Sequence, residues 1–297
     1  MELKQLEYFV HVVDTASFSR AALALNVAQS TLSRQIALLE NETGQRLLVR
    51  TGRGAVPTAA GAGLLPHART MLHVARVAGE ELRDMHASPS GRITLGLPSV
   101  VALRIGVALV QQFRERFPRA VLSMSEGVSP QLTEWAIDGR LDLALVHNPL
   151  PSPQLTYLPI ASEKMVLVAP ASAAKLPRQI DLVSLAAYPM VVTSALNAVR
   201  DRVESVLKPR GIALQIVAEA GYVHTVFGLV ASGVGYTILP EGALSLWEHA
   251  DRLQWAPIGA PVIRNKLVLA VPKARPATRL TVGVIAILKA LYRRQGP

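Results

Sequence analysis

The sequence predicts an α/β fold in two unequal parts, a helical N-terminal module with one long helix and a larger two-lobed α/β region. Three observations predict it. Residues 1–58 hold short helical periods ending in a basic, Gly-rich stretch, and residues 58–87 carry one continuous helical period. From Arg92 onward short apolar runs alternate with helical ones, the pattern of βαβ units in a parallel sheet. A length of 297 residues agrees with about two domains and a small extra module.

Composition removes several classes of function. Half of the residues are apolar and 18% are charged, the balance of a chain with a proper core rather than a disordered one. With no cysteine, neither disulfides nor thiolate metal or redox sites are possible. The seven histidines show no HxxxH or HExxH spacing, so no metal and no cofactor are expected. The charged start, Met1-Glu-Leu-Lys-Gln-Leu-Glu7, does not suit a secretory signal. The uncharged run Ala220–Pro240 is broken by glycines and His224, and reads as a buried helix plus a strand rather than a membrane span. A cytoplasmic location without membrane contact is expected. Net charge is +10, yet residues 1–90 carry only nine Lys/Arg against eight Asp/Glu. Local placement of charge, not its total, must carry any nucleic-acid argument.

In the first module, Leu3, Leu6, Phe9, Val10 and Val13 share one helical face. Ser17 suits the cap of a second helix ending near Leu25, and Asn26 tolerates the left-handed turn that follows. A third helix over about Gln29–Glu42 turns Leu32, Ile36 and Leu39 inward, and Ala21 and Ala22 let the two helices approach. This is a helix-turn-helix pattern. The third helix exposes Gln29, Ser30, Thr31, Ser33, Arg34 and Gln35, and a recognition helix meets base edges through its first turn. A polar face can equally be merely solvated. The stretch Leu47–Thr58 favours the DNA reading, because two apolar pieces around Gly52-Arg53-Gly54 read as a β-wing. Arg53 could then enter a minor groove, with Arg46 and Arg50 near the backbone. The DNA-facing set is Ser17, Arg20, Gln29, Ser30, Thr31, Ser33, Arg34, Arg50 and Arg53.

Thr58 suits the cap of the long helix. Leu64, Ala68, Met71, Ala75, Ala78, Leu82 and Met85 then step alternately by four and three, a heptad seam on a helix about 45 Å long. It predicts dimerisation; the alternative is packing on the chain's own C-terminal half. Pro66 predicts a kink near the start of this helix, and Ala87-Ser-Pro-Ser-Gly91 reads as a hinge.

In the C-terminal region, lobe I is expected over about 91–162 and from 266 to the end, and lobe II over about 163–265. Loops after strand ends offer the candidate ligand groups. Ser99 and Val100 open a helix, Ser129 follows a strand segment, and His147-Asn148 ends the run Leu143–Val146. Thr193 and Ser194 are expected to start another helix, and Tyr222 and His224 follow the strand Gln215–Glu219. Hydroxyls at helix starts suit a carboxylate or phosphate. No catalytic residue is expected: there is no nucleophile elbow, and Gly233-Val-Gly235 lacks the rest of a dinucleotide fingerprint.

The N-terminal residues resemble the DNA-binding domain of LysR-type transcriptional regulators. The likeness runs through Leu6-Glu-Tyr-Phe9, Ser17-Phe-Ser-Arg-Ala-Ala22, Gln29–Leu39, Gly44, Leu47-Leu-Val-Arg50, Arg53, Thr58 and Ala60-Gly61. Asp138–Ala144 and Gly233–Pro240 look like that family's effector-domain segments, similar to regulators of the nitrogen-assimilation-control type. Ala28 replaces the usual capping serine, a loss of about 1 kcal/mol; Ser30 replaces a frequent proline and Leu48 a wing phenylalanine. The resemblance implies a winged helix-turn-helix over 1–58, a linker (dimerisation) helix over 59–88 and an effector-binding domain over 89–297. That domain would have a periplasmic-binding-protein-like fold with two hinge strands and an interlobe ligand site. The implied partners are double-stranded DNA carrying a near-palindrome, a small-molecule, anionic effector, and further copies of the chain. The rival reading is a cytoplasmic solute-binding sensor whose N-terminal helix-turn-helix is non-functional or an adaptor.

Overall fold

The computed structural model describes residues 1–52, 54–83, 89–195 and 197–294. Helices α1 (Leu3–Thr15), α2 (Phe18–Ala24) and α3 (Gln29–Thr43) come first, then a hairpin of β1 (Leu48–Thr51) and β2 (Gly54–Pro57). The expected local signals act as their chemistry suggests. Ser17 Oγ accepts from Arg20 N at 3.3 Å, and Asn26 sits at φ 51°. Ala28 offers α3 no side-chain cap. Leu6, Phe9, Leu32, Ile36 and Leu39 close one core, which also takes in Leu47 and Ala55 of the wing.

The wing is tied down from two sides. Glu40 Oε1 accepts from Leu47 N at 2.8 Å and Leu48 N at 3.1 Å. On the other side Ala16 O accepts from Ala55 N at 2.9 Å. Gly54 has φ +132°, and a Cβ there would lie 2.1 Å from Ala16 O, so only glycine lets the hairpin approach α1.

Helix α4 (Ala59–Arg83) starts on Thr58, whose Oγ1 accepts from Gly61 N at 3.0 Å, and Pro66 lies inside it. The heptad seam divides. Ala68 belongs to the helix-turn-helix core, beside Leu65 next to the seam, with Leu64 and Met71 packed against it, while Ala75, Ala78 and Leu82 are exposed. Met85, Arg53 and the first two residues of the expected hinge, Ala87 and Ser88, lie outside the described residues. The described end of that hinge is no turn: Ser90 and Gly91 already belong to β3 (Ser90–Leu97).

Beyond it come α5 (Ser99–Arg116), β4 (Arg119–Glu126), α6 (Ser129–Ile137), β5 (Leu143–His147), β6 (Leu155–Pro170) and β7 (Pro189–Thr193). The chain continues through α7 (Ala198–Leu207), β8 (Gln215–Ala220), α8 (Val223–Ala231), β9 (Thr237–Pro240), β10 (Leu253–Pro257), β11 (Arg264–Pro272) and α9 (Arg279–Arg294). Strand pairs β3–β4, β3–β5 and β7–β8 are parallel, as the alternation predicts. The main sheet is nevertheless mixed, in the order β10-β6-β11-β5-β3-β4 with β9 also on β6. The long strands β6 and β11 run antiparallel to each other and serve both lobes. Strand periodicity reports a buried face but not the direction of a partner far away in sequence. Helix α9 returns to pack Val284, Leu288 and Leu291 beside Ile105 and Leu109 of α5.

An ionic junction joins the long helix to lobe I. Arg69, buried on α4, pairs with Asp14 and donates to Asp138 O at 3.1 Å. One turn on, His73 Nδ1 lies 3.2 Å from Asp142 Oδ1, which also meets Arg275 Nη1 at 2.7 Å. Thr94 donates to Asp142 Oδ2 from both its N and its Oγ1. Burial alone would raise the Asp142 pKa, but the His73 and Thr94 hydrogen bonds and the Arg275 charge outweigh it and hold the carboxyl at about 2.

Candidate functional sites

On the N-terminal module, Gln29, Ser30, Thr31 and Arg34 are exposed along the start of α3. Two of the expected DNA-facing side chains hold each other: Arg50 Nη2 donates to Ser33 Oγ at 3.0 Å. The Arg50 guanidinium also lies 4.4 Å from the Phe18 ring centre, a cation–π contact. Gln29 Oε1 accepts from Ser19 Oγ at 3.0 Å. Ser17 Oγ serves as a helix cap, and the exposed Arg20 guanidinium donates to Thr15 O. Phe18 and Ser19, which steady Arg50 and Gln29, were not singled out from sequence. Their place directly after the Ser17 cap is the available signal. They lie on the first turn of α2, the helix that packs on α3.

In the C-terminal region one cavity of about 460 Å³ lies between the lobes. Ser99, Val100, Ser129, His147, Thr193, Ser194 and Tyr222 all line it; His224 and Asn148 do not. Helices α5, α6, α7 and α8 all begin at this cavity, because each follows a strand whose end points there. The starts of α5, α6 and α8 carry no side-chain cap. Their N–H groups and aligned peptide dipoles favour negative charge. Ser194 corrects the sequence expectation. It precedes α7 by several residues, and Asn197 caps that helix, accepting from Val199 N at 2.9 Å.

Among the described lining residues Glu126 is the one Asp, Glu, Lys or Arg, and it is exposed. Ser129, Thr193 and His147 are buried. Ser129 Oγ accepts from His147 N at 2.9 Å. Burial, with the Arg104 charge second, pushes the His147 pKa down to about 4, so its ring is neutral at pH 7. Behind it Asn265, 1% exposed, places its side-chain amide 3.0 Å from His147 Nδ1. Nothing in the sequence marks Asn265, since 118 positions separate it from His147. Among the described residues no group of acidic or histidine side chains could hold a metal ion, and no helix is long and apolar enough to cross a membrane.

A winged helix-turn-helix, joined through one helix to two lobes around a cavity where four helices begin, is the architecture of a DNA-binding regulator that responds to a ligand. Residues 3–62 match the bacterial regulatory helix-turn-helix protein of the lysR family, and residues 86–293 match the LysR substrate binding domain. The chain is 34% identical over 245 residues to the nitrogen assimilation regulatory protein nac of Klebsiella aerogenes, covering 82% of this chain and 79% of that one. It is 29% identical to the uncharacterized HTH-type transcriptional regulator YnfL of Escherichia coli, across 92% of this chain and 93% of that one. Among solved structures, a full-length OxyR variant from Pseudomonas aeruginosa superimposes with a TM-score of 0.80 at 23% identity, covering 99% and 95% of the two chains. The LysR-family regulator CbnR, solved with its target DNA, gives 0.65 at 22% identity over the full length of both. The chain belongs to the LysR family of ligand-responsive transcriptional regulators.

Proposed function

We propose that the protein is a cytoplasmic, non-catalytic regulator that binds a near-palindromic promoter site as a homo-oligomer and answers to a small anionic effector. Residues 1–58 bind DNA, 59–88 form the linker and 89–297 hold the effector, with lobe I over about 91–162 and 266–297 and lobe II over about 163–265. Gln29, Ser30, Thr31 and Ser33 meet base edges, and Arg34, Arg50 and Arg53 supply phosphate or groove contacts. The exposed lower seam of α4 joins two copies, which sets two recognition helices on two half-sites.

The observation that carries the effector reading is the meeting of seven residues from five separate places in the chain, Ser99, Val100, Ser129, His147, Thr193, Ser194 and Tyr222, at one cavity where four helices begin. N–H groups there hold a carboxylate or phosphate without a basic side chain. Ligand binding favours one lobe arrangement, the Arg69–Asp138 and His73–Asp142 contacts pass it to α4, and the bend or spacing at the promoter changes.

Footprinting on the DNA upstream of its own gene, at two salt concentrations, tests this. Two spaced half-sites should be protected, more weakly at high salt, and protection should disappear in the Arg34→Ala/Arg53→Ala variant. Protection unchanged in that variant refutes the assignment of these arginines; none at either salt refutes the promoter site and favours the solute-binding sensor.

A further inference from the structure

Donor and acceptor roles around His147 can be assigned from a backbone anchor. The N–H of Lys266 can only donate, and it lies 2.9 Å from the Asn148 side chain, so the atom it meets is Oδ1. The other amide atom, Nδ2, must then donate. It does so to Ala198 O at 3.3 Å and to the Asn265 side chain at 2.7 Å. The Asn265 atom facing a donor is its Oδ1, which leaves Asn265 Nδ2 directed at His147 Nδ1. An amide nitrogen accepts nothing, so Nδ1 accepts and carries no proton. In a neutral imidazole the proton therefore sits on Nε2.

Nε2–H has no protein partner among the described residues. It is not sealed away either, since the sole fully buried side-chain polar atom without a partner among those residues is Tyr292 Oη. His147 is 7% exposed and lines the cavity, so the remaining opening for Nε2–H is toward that space. The geometry points to His147 as a specificity-determining donor, its Nε2–H fixed toward the cavity by the Asn148–Asn265 relay, for a ligand that presents a carboxylate or carbonyl oxygen. Asn265 and Asn148 are positioning residues. Because Asn148 also holds Ala198, the first residue of α7, the relay ties this donor to the second lobe. The assignment rests on the reading of the cavity as the effector site. A ligand offering an ammonium group at this point would face donor against donor.

Nitrogen NMR of the full chain with isotope-labelled histidine reads the tautomer directly, with no ligand present. The His147 signal is identified by its loss in His147→Gln. At neutral pH, Nε2 should be protonated and Nδ1 bare, and Asn265→Leu should give mixed tautomers. A protonated Nδ1 in the unsubstituted protein overturns the proposal while leaving the cavity reading intact.

Benzoate, benzamide and benzylamine then serve as probes of matched size. Benzoate and benzamide should move the Nε2 signal and benzylamine should not. His147→Leu should weaken benzoate binding about tenfold or more, and His147→Gln, whose amide N–H reaches the same place, should restore much of it. Benzoate that shifts the Ser129 and Thr193 amides but leaves Nε2 unmoved overturns the proposal, as does a cavity that none of the three enters. Benzoate bound at Nε2 with an unaltered promoter footprint supports the donor and counts against the effector reading alone.

Discussion

Replacing Asp142 with asparagine strikes the point where the long helix meets lobe I. The carboxylate accepts from Thr94 N and Oγ1 on one oxygen and faces Arg275 and His73 with the other. Side-chain exposure is 10% for Asp142 and 7% for Arg275, so water does little to replace what is lost. An amide keeps the shape but has one accepting atom, so it must abandon either the two Thr94 donors or the Arg275 and His73 side. Removing one member of such a buried pair costs about 3–5 kcal/mol. That is a large share of a typical total stability of about 5–15 kcal/mol.

The pH dependence gives a second handle on the same residue. The folded carboxyl titrates at about 2 against 3.8 when unperturbed, worth about 2.5 kcal/mol at about 1.4 kcal/mol per unit. Because the folded value is the depressed one, this contribution is fully present above 3.8 and is lost as the pH falls toward about 2. Denaturant unfolding at neutral pH should show the full deficit in Asp142→Asn, and the gap to the unsubstituted protein should narrow on acidification. A deficit under about 1 kcal/mol, or a gap that widens as acid is added, would refute the reasoning.

Three further outcomes are expected. Phe18→Leu keeps an apolar side chain but removes the ring under Arg50, so promoter affinity should fall about two- to fivefold in gel-shift titration; unchanged affinity would show that the ring does not position Arg50. Gly54→Ala places a Cβ 2.1 Å from Ala16 O, and should lower the melting temperature of the N-terminal module in calorimetry. An unaltered transition would mean that the wing rearranges freely. Leu82, 72% exposed beside Ala75 and Ala78, should weaken self-association about tenfold or more as Leu82→Glu, read by sedimentation equilibrium. An identical dissociation constant would place the dimer contact elsewhere.

Much of the DNA-binding module was legible because its signals are local. Ser17 and Thr58 cap the helices they precede, Asn26 adopts the left-handed turn, and the 3.6-residue spacing of Leu32, Ile36 and Leu39 marks the inward face of α3. In the C-terminal region, the ends of apolar runs located the cavity residues for a similar reason. In α/β folds, loops after parallel strands gather at one end of their sheet, so Ser99 and Ser129 meet at the end of β3 and β4, and Thr193 at the end of β7 joins them from the other lobe's own sheet. Where a helix starts is less secure when the cap lies several residues downstream, as Asn197 does from Ser194.

The remaining features depend on partners distant in the chain. The heptad steps from Leu64 to Leu82 lie on α4, but the upper ones are claimed by the helix-turn-helix core and the lower ones, Ala75, Ala78 and Leu82, are left exposed. Periodicity records which residues share a face, not what covers that face. The antiparallel course of β6 and β11, the Asp142 junction and the Asn265–His147 contact follow the same rule. Local conformational preference is written in neighbouring residues and can be read from them. A hydrogen bond spanning 118 positions exists only once packing has excluded water and fixed both partners in space.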